Sequence, residues 1–424
     1  MSISARHMLI AWVSATLTTL LSLPAAADLP LQSAVDLLGA QRQDFLPDQF
    51  TGTRAGDAVA IRNGIAFFGI PGARRLGHVA VLNLTANGWE RVDTLQAPNT
   101  SAETRFGRSL TYRDGVLVVG GANAAYVFRR NDIGVWTFRQ KLQAPPTSTD
   151  FPVALRYEAG TLIASARRSQ PGNVVVVYGT SSAGSLVKTA TIAGSAATSG
   201  EDFGVDISMN ARSFVVAAPV GSRGPLFRPP AYDQTGSVYK FGRNSTGQWT
   251  VFQKLVPNES APGFGTSVAF DNDMIIVGAP KVDLEGSFGG GVPVEEGHVA
   301  GGAAYVFRPV GPGGSYVQTG KLRPTIDQVF LYRDFGYRVA MFGTHIAIAA
   351  TELNSPDRPG FGLVVNYLRD GANLFPRVKS TGHIAPASIG LANSWLVVGS
   401  PFDVLCTSDC LGSVSIYDVN RFAR

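Results

Sequence analysis

Apolar residues fall along this chain in short runs separated by small polar clusters, as in "FGTSVAFDNDMIIVGAP" at residues 264–280. Val, Ile, Tyr and Phe fill the runs while Gly, Asn, Asp and Pro bound them, which predicts short strands joined by tight turns. The same pattern returns as "RAGDAVAIRNGIAFFGIP", "FGRSLTYRDGVLVVGGA", "FPVALRYEAGTLIASAR", "FGVDISMNARSFVVAAP", "FGYRVAMFGTHIAIAAT" and "APASIGLANSWLVVGSP". Leading positions Ala55, Phe106, Phe151, Phe203, Phe264, Phe335 and Ala385 lie 51, 45, 52, 61, 71 and 50 residues apart, the spacing of a repeat architecture.

Each copy continues alike. A third apolar run follows, usually opened by a small residue, as in "GHVAVLNL", "GSVYKFGR" and "GAAYVFRP". A fourth run pairs large apolar residues six positions apart: Trp89 with Leu95, Trp136 with Leu142, Leu186 with Ile192, Trp249 with Leu255 and Tyr316 with Leu322. In the sixth copy Phe375 meets Thr381 instead. Four strands per copy make a propeller blade, so seven copies predict an all-β, seven-bladed β-propeller. The seventh copy stops at "SIYDVNRFAR" before any fourth strand, whereas "LQSAVDLL" near the N-terminus repeats the six-residue spacing through Leu31 and Leu37. An N-terminal strand there is expected to complete the C-terminal blade and close the ring without an exposed edge.

Composition agrees with this reading. In a chain of 424 residues, 48 glycines and 25 prolines favour many short elements over two or three conventional domains. With 36 Lys+Arg against 31 Asp+Glu the net charge is +5 and no basic run gathers it, which argues against nucleic acid as a partner. Arg6 and His7 precede the apolar run from Met8 to Leu23, and "PAAAD" offers a small-residue cleavage site after Ala27. The run is shorter than the roughly 20 residues that span a bilayer. Residues 1–27 are therefore expected to be a signal peptide and residues 28–424 a single exported propeller domain, secreted or periplasmic, with no transmembrane segment. In such a compartment Cys406 and Cys410 of "CTSDC" are expected to form a local disulfide; zinc needs two more ligands than this stretch supplies.

The order F-G-x-S-V-A, V-G-A-P, Y-V-F and W-x5-K-L, nearly complete in residues 106–145 and 264–324, resembles the FG-GAP repeat of bacterial exported proteins and integrin α-subunit propellers. The resemblance covers residues 29–424 and implies a propeller. Copies one, three, six and seven depart from it: Ala55 and Ala385 replace the Phe, Pro152 and Pro386 the Gly, and "ASAR" and "AATE" the Gly-Ala-Pro. Phe and Gly of the motif read as packing residues, with Phe wedged between blades and Gly allowing close approach. The resemblance would also imply calcium, held by a D-x-D-x-D-G-x-x-D loop between the first two strands. The turns at those places, from "RNG" to "ANS", are too short to wrap an ion, and Asp271-Asn272-Asp273 lacks the glycine and fourth carboxylate. No metal and no cofactor is expected.

Candidate chemistry is sparse. Neither H-E-x-x-H, G-x-S-x-G nor a dinucleotide glycine pattern occurs, and none of His78, His298, His345 and His383 has a second His or a Cys at metal-ligand spacing. Asp206 and Arg338 share a position in the first strands of copies four and six, where they either line the central channel or are buried with hydrogen-bond partners. The long insertions between second and third strands are "VGSRGPLFRPPAYDQT", "KVDLEGSFGGGVPVEEGHVAG", "ELNSPDRPGF" and "FDVLCTSDCL", in consecutive copies and hence on one face. The fourth copy brings Arg223, Phe227, Arg228 and Tyr232; the fifth brings Asp283, Glu285, Phe288, Glu295, Glu296 and His298. Aromatic and charged groups so placed suit a protein segment or a glycan, or else the basic loop pairs with the acidic one to cover the blades. The leading expectation is a monomeric, non-enzymatic module that binds protein on this face. A lectin-like propeller, and a hydrolase or lyase using Glu295, Glu296 or His298, stand as alternatives.

Overall fold

Hairpin chemistry builds the blades. Arg62 pairs with Ile65 across Asn63-Gly64, and Asp271 with Met274 across Asn272-Asp273. Asn63, Gly64 and Asn272 adopt φ of 49°, 72° and 53°, the left-handed angles that match a two-residue turn to the twist of its strands. The computed structural model describes residues 35–36, 42–45, 54–72, 76–98, 105–169, 172–194, 200–222, 231–282, 301–311, 314–323, 332–352, 362–371, 373–383, 387–401 and 412–419. Every regular element among them is a strand.

The strands form seven sheets. Blade 5 is typical: Ser267–Asp271, Met274–Ala279, Ala303–Val310 and Ser315–Leu322 lie antiparallel in chain order, from the axis outward. The first strands of successive blades neighbour one another around a closed ring, Val59–Arg62 of blade 1 meeting Ser109–Arg113 of blade 2 on one side and Ser388–Ala392 of blade 7 on the other.

Blade 7 takes its fourth strand from the N-terminal side of the chain, as expected, but not from the expected residues. Arg42–Phe45 lies antiparallel to Ser413–Asp418, whereas Val35–Asp36, from the segment holding Leu31 and Leu37, runs parallel to Asn373–His383 on the outer edge of blade 6. Side-chain fit explains the difference. Gln43 and Phe45 repeat the spacing of Gln140 and Leu142 and of Gln253 and Leu255. In each case the amide side chain clasps the backbone of the next blade. Trp89 N donates to Gln43 Oε1 at 2.6 Å, Leu186 N to Gln140 Oε1 at 2.9 Å, and Tyr316 N to Gln253 Oε1 at 2.7 Å. A leucine pair has no counterpart to this clasp.

The hydrophobic core is divided into seven clusters, one at each seam between adjacent blades. The motif phenylalanines sit in these seams: Phe106, Phe151, Phe264 and Phe335 are fully buried. Phe106 meets Tyr126 and Phe128 edge-on, and Phe264 meets Tyr305 and Phe307 in the same way. The glycines set how close the blades come. A Cβ on Gly69 would lie 1.7 Å from Gly107 O of the next blade, one on Gly278 would lie 1.9 Å from Gly336 O, and one on Gly399 would lie 2.2 Å from Gly56 O. Within blades 1, 2 and 5 the leading glycine donates back to its own partner: Gly56 N to Gly69 O at 2.9 Å, Gly107 N to Gly120 O and Gly265 N to Gly278 O at 3.0 Å. Where Pro152 has no N–H to give, Val153 N donates to Ser165 O at 3.0 Å instead.

The Tyr and Lys of the motif share one further task. Glu201, in the connection entering blade 4, accepts from Ser237 Oγ at 2.7 Å, Tyr239 Oη at 2.7 Å and Lys254 Nζ at 3.2 Å. Glu259 repeats this one blade on, with Tyr305 Oη at 2.8 Å and Lys321. Burial pushes the Glu201 carboxyl up, but its three hydrogen bonds and the Lys254 charge outweigh that and hold it below the usual carboxylate range.

Two predictions test this scaffold. Gly278→Ala should cost about 2 kcal/mol or more in urea unfolding by overpacking a seam, while Gly242→Ala, with nothing within 4 Å of its Cβ, should cost little; equal losses would contradict the seam. The depressed carboxyl of Glu201 supplies stability above the unfolded carboxylate value that is lost as pH falls through the folded value. Glu201→Gln should therefore lower stability at pH 7 by about 1–3 kcal/mol and shrink the difference between pH 7 and pH 3.

Candidate functional site

In blade 4 the second and third strands, Ser213–Ser222 and Ala231–Arg243, outrun their neighbours, and the ladder continues through Val220 opposite Gln234 to Ser222 opposite Ala231. Much of the insertion read from sequence as loop is thus a two-stranded ribbon standing on the blade. Tyr232 lies within its returning strand. The blade 5 insertion starts from a fixed root: Val282 is buried, and Lys281 Nζ donates to Asp334 Oδ1 of blade 6 at 2.5 Å, with Thr351 Oγ1 on Asp334 Oδ2 at 3.0 Å. Arg223, Phe227, Arg228, Asp283, Glu285, Phe288, Glu295, Glu296, His298, Cys406 and Cys410 lie outside the described residues.

Asp206 and Arg338 prove to be bridges between first strands. Asp206 Oδ2 accepts from Ser267 Oγ at 2.9 Å and Val268 N at 3.0 Å in blade 5, while Oδ1 faces Arg156 of blade 3 at 3.4 Å. Ser267 Oγ in turn accepts from Val339 N of blade 6 at 3.2 Å. Arg338 donates through Nε to Ala387 O of blade 7 at 2.7 Å. His345 places Nδ1 3.4 Å from Asn366 Nδ2, in the interior of blade 6.

The order of strands, the paired glycines and the edge-on phenylalanines together define the repeat. Residues 249–307 match the FG-GAP repeat family. That FG-GAP stretch runs from the outer strand of blade 4, Trp249–Leu255, into the third strand of blade 5, Ala303–Val310, so the sequence unit starts one strand ahead of the blade. No curated protein sequence matches the chain. Among solved structures, a protein from Lactobacillus plantarum is 13% identical, over 76% of this chain and 84% of that one, with a TM-score of 0.48. The β-propeller domain of the Trilobed protease from Pyrococcus furiosus, described as having an open velcro topology, is 10% identical over 85% and 94%, at 0.46. A provisionally assigned 6-phosphogluconolactonase from Bacteroides fragilis is 12% identical over 76% and 83%, at 0.45.

Sequence reasoning missed the opposite mouth of the propeller, where the first strands turn back. Their last residues include Arg62, Arg113, Glu158, Asp271 and Phe342. Arg113 pairs with Glu158 at 2.7 Å, and Arg62 of blade 1 lays its guanidinium 4.8 Å from the centre of the Phe342 ring of blade 6. Burial raises the Glu158 carboxyl despite Arg113 and Arg62, and burial with Arg113 lowers Arg62. Arginines of blades 1 and 2 thus share this mouth with carboxylates of blades 2, 3 and 5, Asp114 lying 3.3 Å from Arg113. The signal was present as one charged residue immediately before each turn, in "RNG", "RDG", "EAG" and "DND". Asp271 and Asp273, the pair nearest in sequence to a calcium loop, serve different neighbours: Asp271 Oδ2 accepts from Gly343 N at 2.6 Å and Asp273 faces Arg369 at 3.0 Å. Among the described residues no group of three or more His, Cys, Asp or Glu is placed to hold a metal, and no helix is long and apolar enough to cross a membrane.

Removing a bridge leaves buried donors unpaired. Asp206→Ala should cost about 1–3 kcal/mol in denaturant unfolding, and an unchanged midpoint would show that Asp206 does not hold blade 5 to blade 4.

Proposed function

We propose that this chain is an exported binding module that holds a protein partner on the face carrying the insertions of blades 4 to 7. The observation that carries this reading is the ribbon on blade 4: strand pairing continues to Ser222 and Ala231, well beyond what the blade needs to close its sheet. A ladder of backbone hydrogen bonds holds Ser222 beside Ala231, so this part of the face meets a partner already ordered, which lowers the cost of binding. The anchored root at Lys281 supports the same face from the neighbouring blade. The likeness to integrin α-subunit propellers, which bind protein, points the same way. In this reading residues 1–27 direct export, Cys406 and Cys410 form a disulfide, and Arg228, Tyr232, Glu295 and Glu296 contribute to the contact.

Replacing residues 221–232 by a short turn tests the proposal. The expected outcome is an unchanged melting temperature together with loss of the protein retained from an envelope extract. Full retention by the trimmed chain would remove the face from consideration, and selective binding on a glycan array by the intact chain would move the assignment to carbohydrate.

A further inference from the structure

The third strands present one residue to each seam just after the motif tyrosine position. It is Val81, Val127, Val177, Val306 and Ile416 in blades 1, 2, 3, 5 and 7, all buried. Blade 6 has the buried Asn366 there, and blade 4 puts Lys240 there, only 9% exposed. Its Nζ lies 4.5 Å from the ring centre of Phe252, 5.2 Å from Tyr316 and 6.0 Å from Phe270. Lys254, Lys281 and Lys321 each meet a carboxylate, on Glu201, Asp334 and Glu259. Lys240 has none among the described residues. Asp273 of blade 5 faces Arg369 at 3.0 Å. One wall of the cage, Phe252, is 49% exposed, so the amine sits just under the surface and not deep in the seam.

A ring of aromatic faces tolerates an ammonium but withholds the water that favours its charge. Burial accordingly lowers Lys240 from the ordinary lysine range. Desolvated lysines of this kind act as nucleophiles toward carbonyl carbon.

We propose that Lys240 is a modification site, an amine that condenses selectively with small aldehydes to form an imine. The neutral nitrogen adds to the carbonyl carbon, forming the C–N bond. The carbonyl oxygen then leaves as water with the two amine protons, giving C=N with no oxidant or reductant. Phe252, Tyr316 and Phe270 are positioning residues that keep the amine dry.

The test is a short pulse of acetaldehyde on the full chain at pH 7.5, quenched with borohydride, with ethyl-lysine mapped by peptide mass. Lys240 should label at least about threefold faster than the exposed Lys188, reflecting its larger neutral fraction. Phe252→Ala, which rehydrates the amine without removing it, should bring the rate down to that of Lys188 while leaving the melting temperature nearly unchanged. Labelling of Lys240 no faster than Lys188 in the parent chain, or an unchanged rate in Phe252→Ala, overturns the proposal.

Discussion

Everything in this propeller follows from how closely two peptide backbones meet at each seam. Gly69 against Gly107, Gly278 against Gly336 and Gly399 against Gly56 come nearer than any side chain permits. That approach brings the Phe of one blade against its own third strand while its backbone bridges to the blade before, as Phe106 does to Gly77 and Phe335 to Gly302. Because Gly56 and Gly107 are also bonded to Gly69 and Gly120 within their own blades, the contact passes there from blade to blade as a chain of links. The seven apolar clusters sit between those links, and none sits on the axis.

Polar groups follow the same plan. Asp206, Ser267 and Arg338 join first strands across seams, Gln43, Gln140 and Gln253 join fourth strands, and Glu201 and Glu259 tie the connections down. Arg62, Arg113, Glu158 and Asp271 stand at the opposite mouth, at the ends of the first strands. Lys240 is the exception within a seam, a cation held by rings alone at a place where most blades use valine or isoleucine.

The blades themselves were legible in the sequence because hairpin turns and alternating runs are local features. Repetition made the architecture legible as well, since a motif seen seven times averages out the departures at Ala55, Pro152 and Pro386. The closing strand was misplaced because apolar spacing alone does not separate Leu31 and Leu37 from Phe45; the glutamine clasp at Gln43 does, once its repeats at Gln140 and Gln253 are noticed. Asp206 and Arg338 were recognisable as unusual, but their partners Val268 and Ala387 lie on other blades and only three dimensions bring them together. The ribbon on blade 4 was hidden because its strands carry no alternating apolar face: with no core to cover, backbone pairing holds it without leaving a pattern.

The offset between the sequence unit and the blade bears on the order of assembly. Arg42–Phe45 is among the first described parts of the chain to be made, yet its partner Ser413–Asp418 is almost the last. Blades 1 to 6 can each form from nearby residues, but the ring closes only when a contact spanning nearly the whole chain is made, and contacts of that range are slow to form. Until then the outer edge of blade 7 is open to the corresponding strand of a second chain.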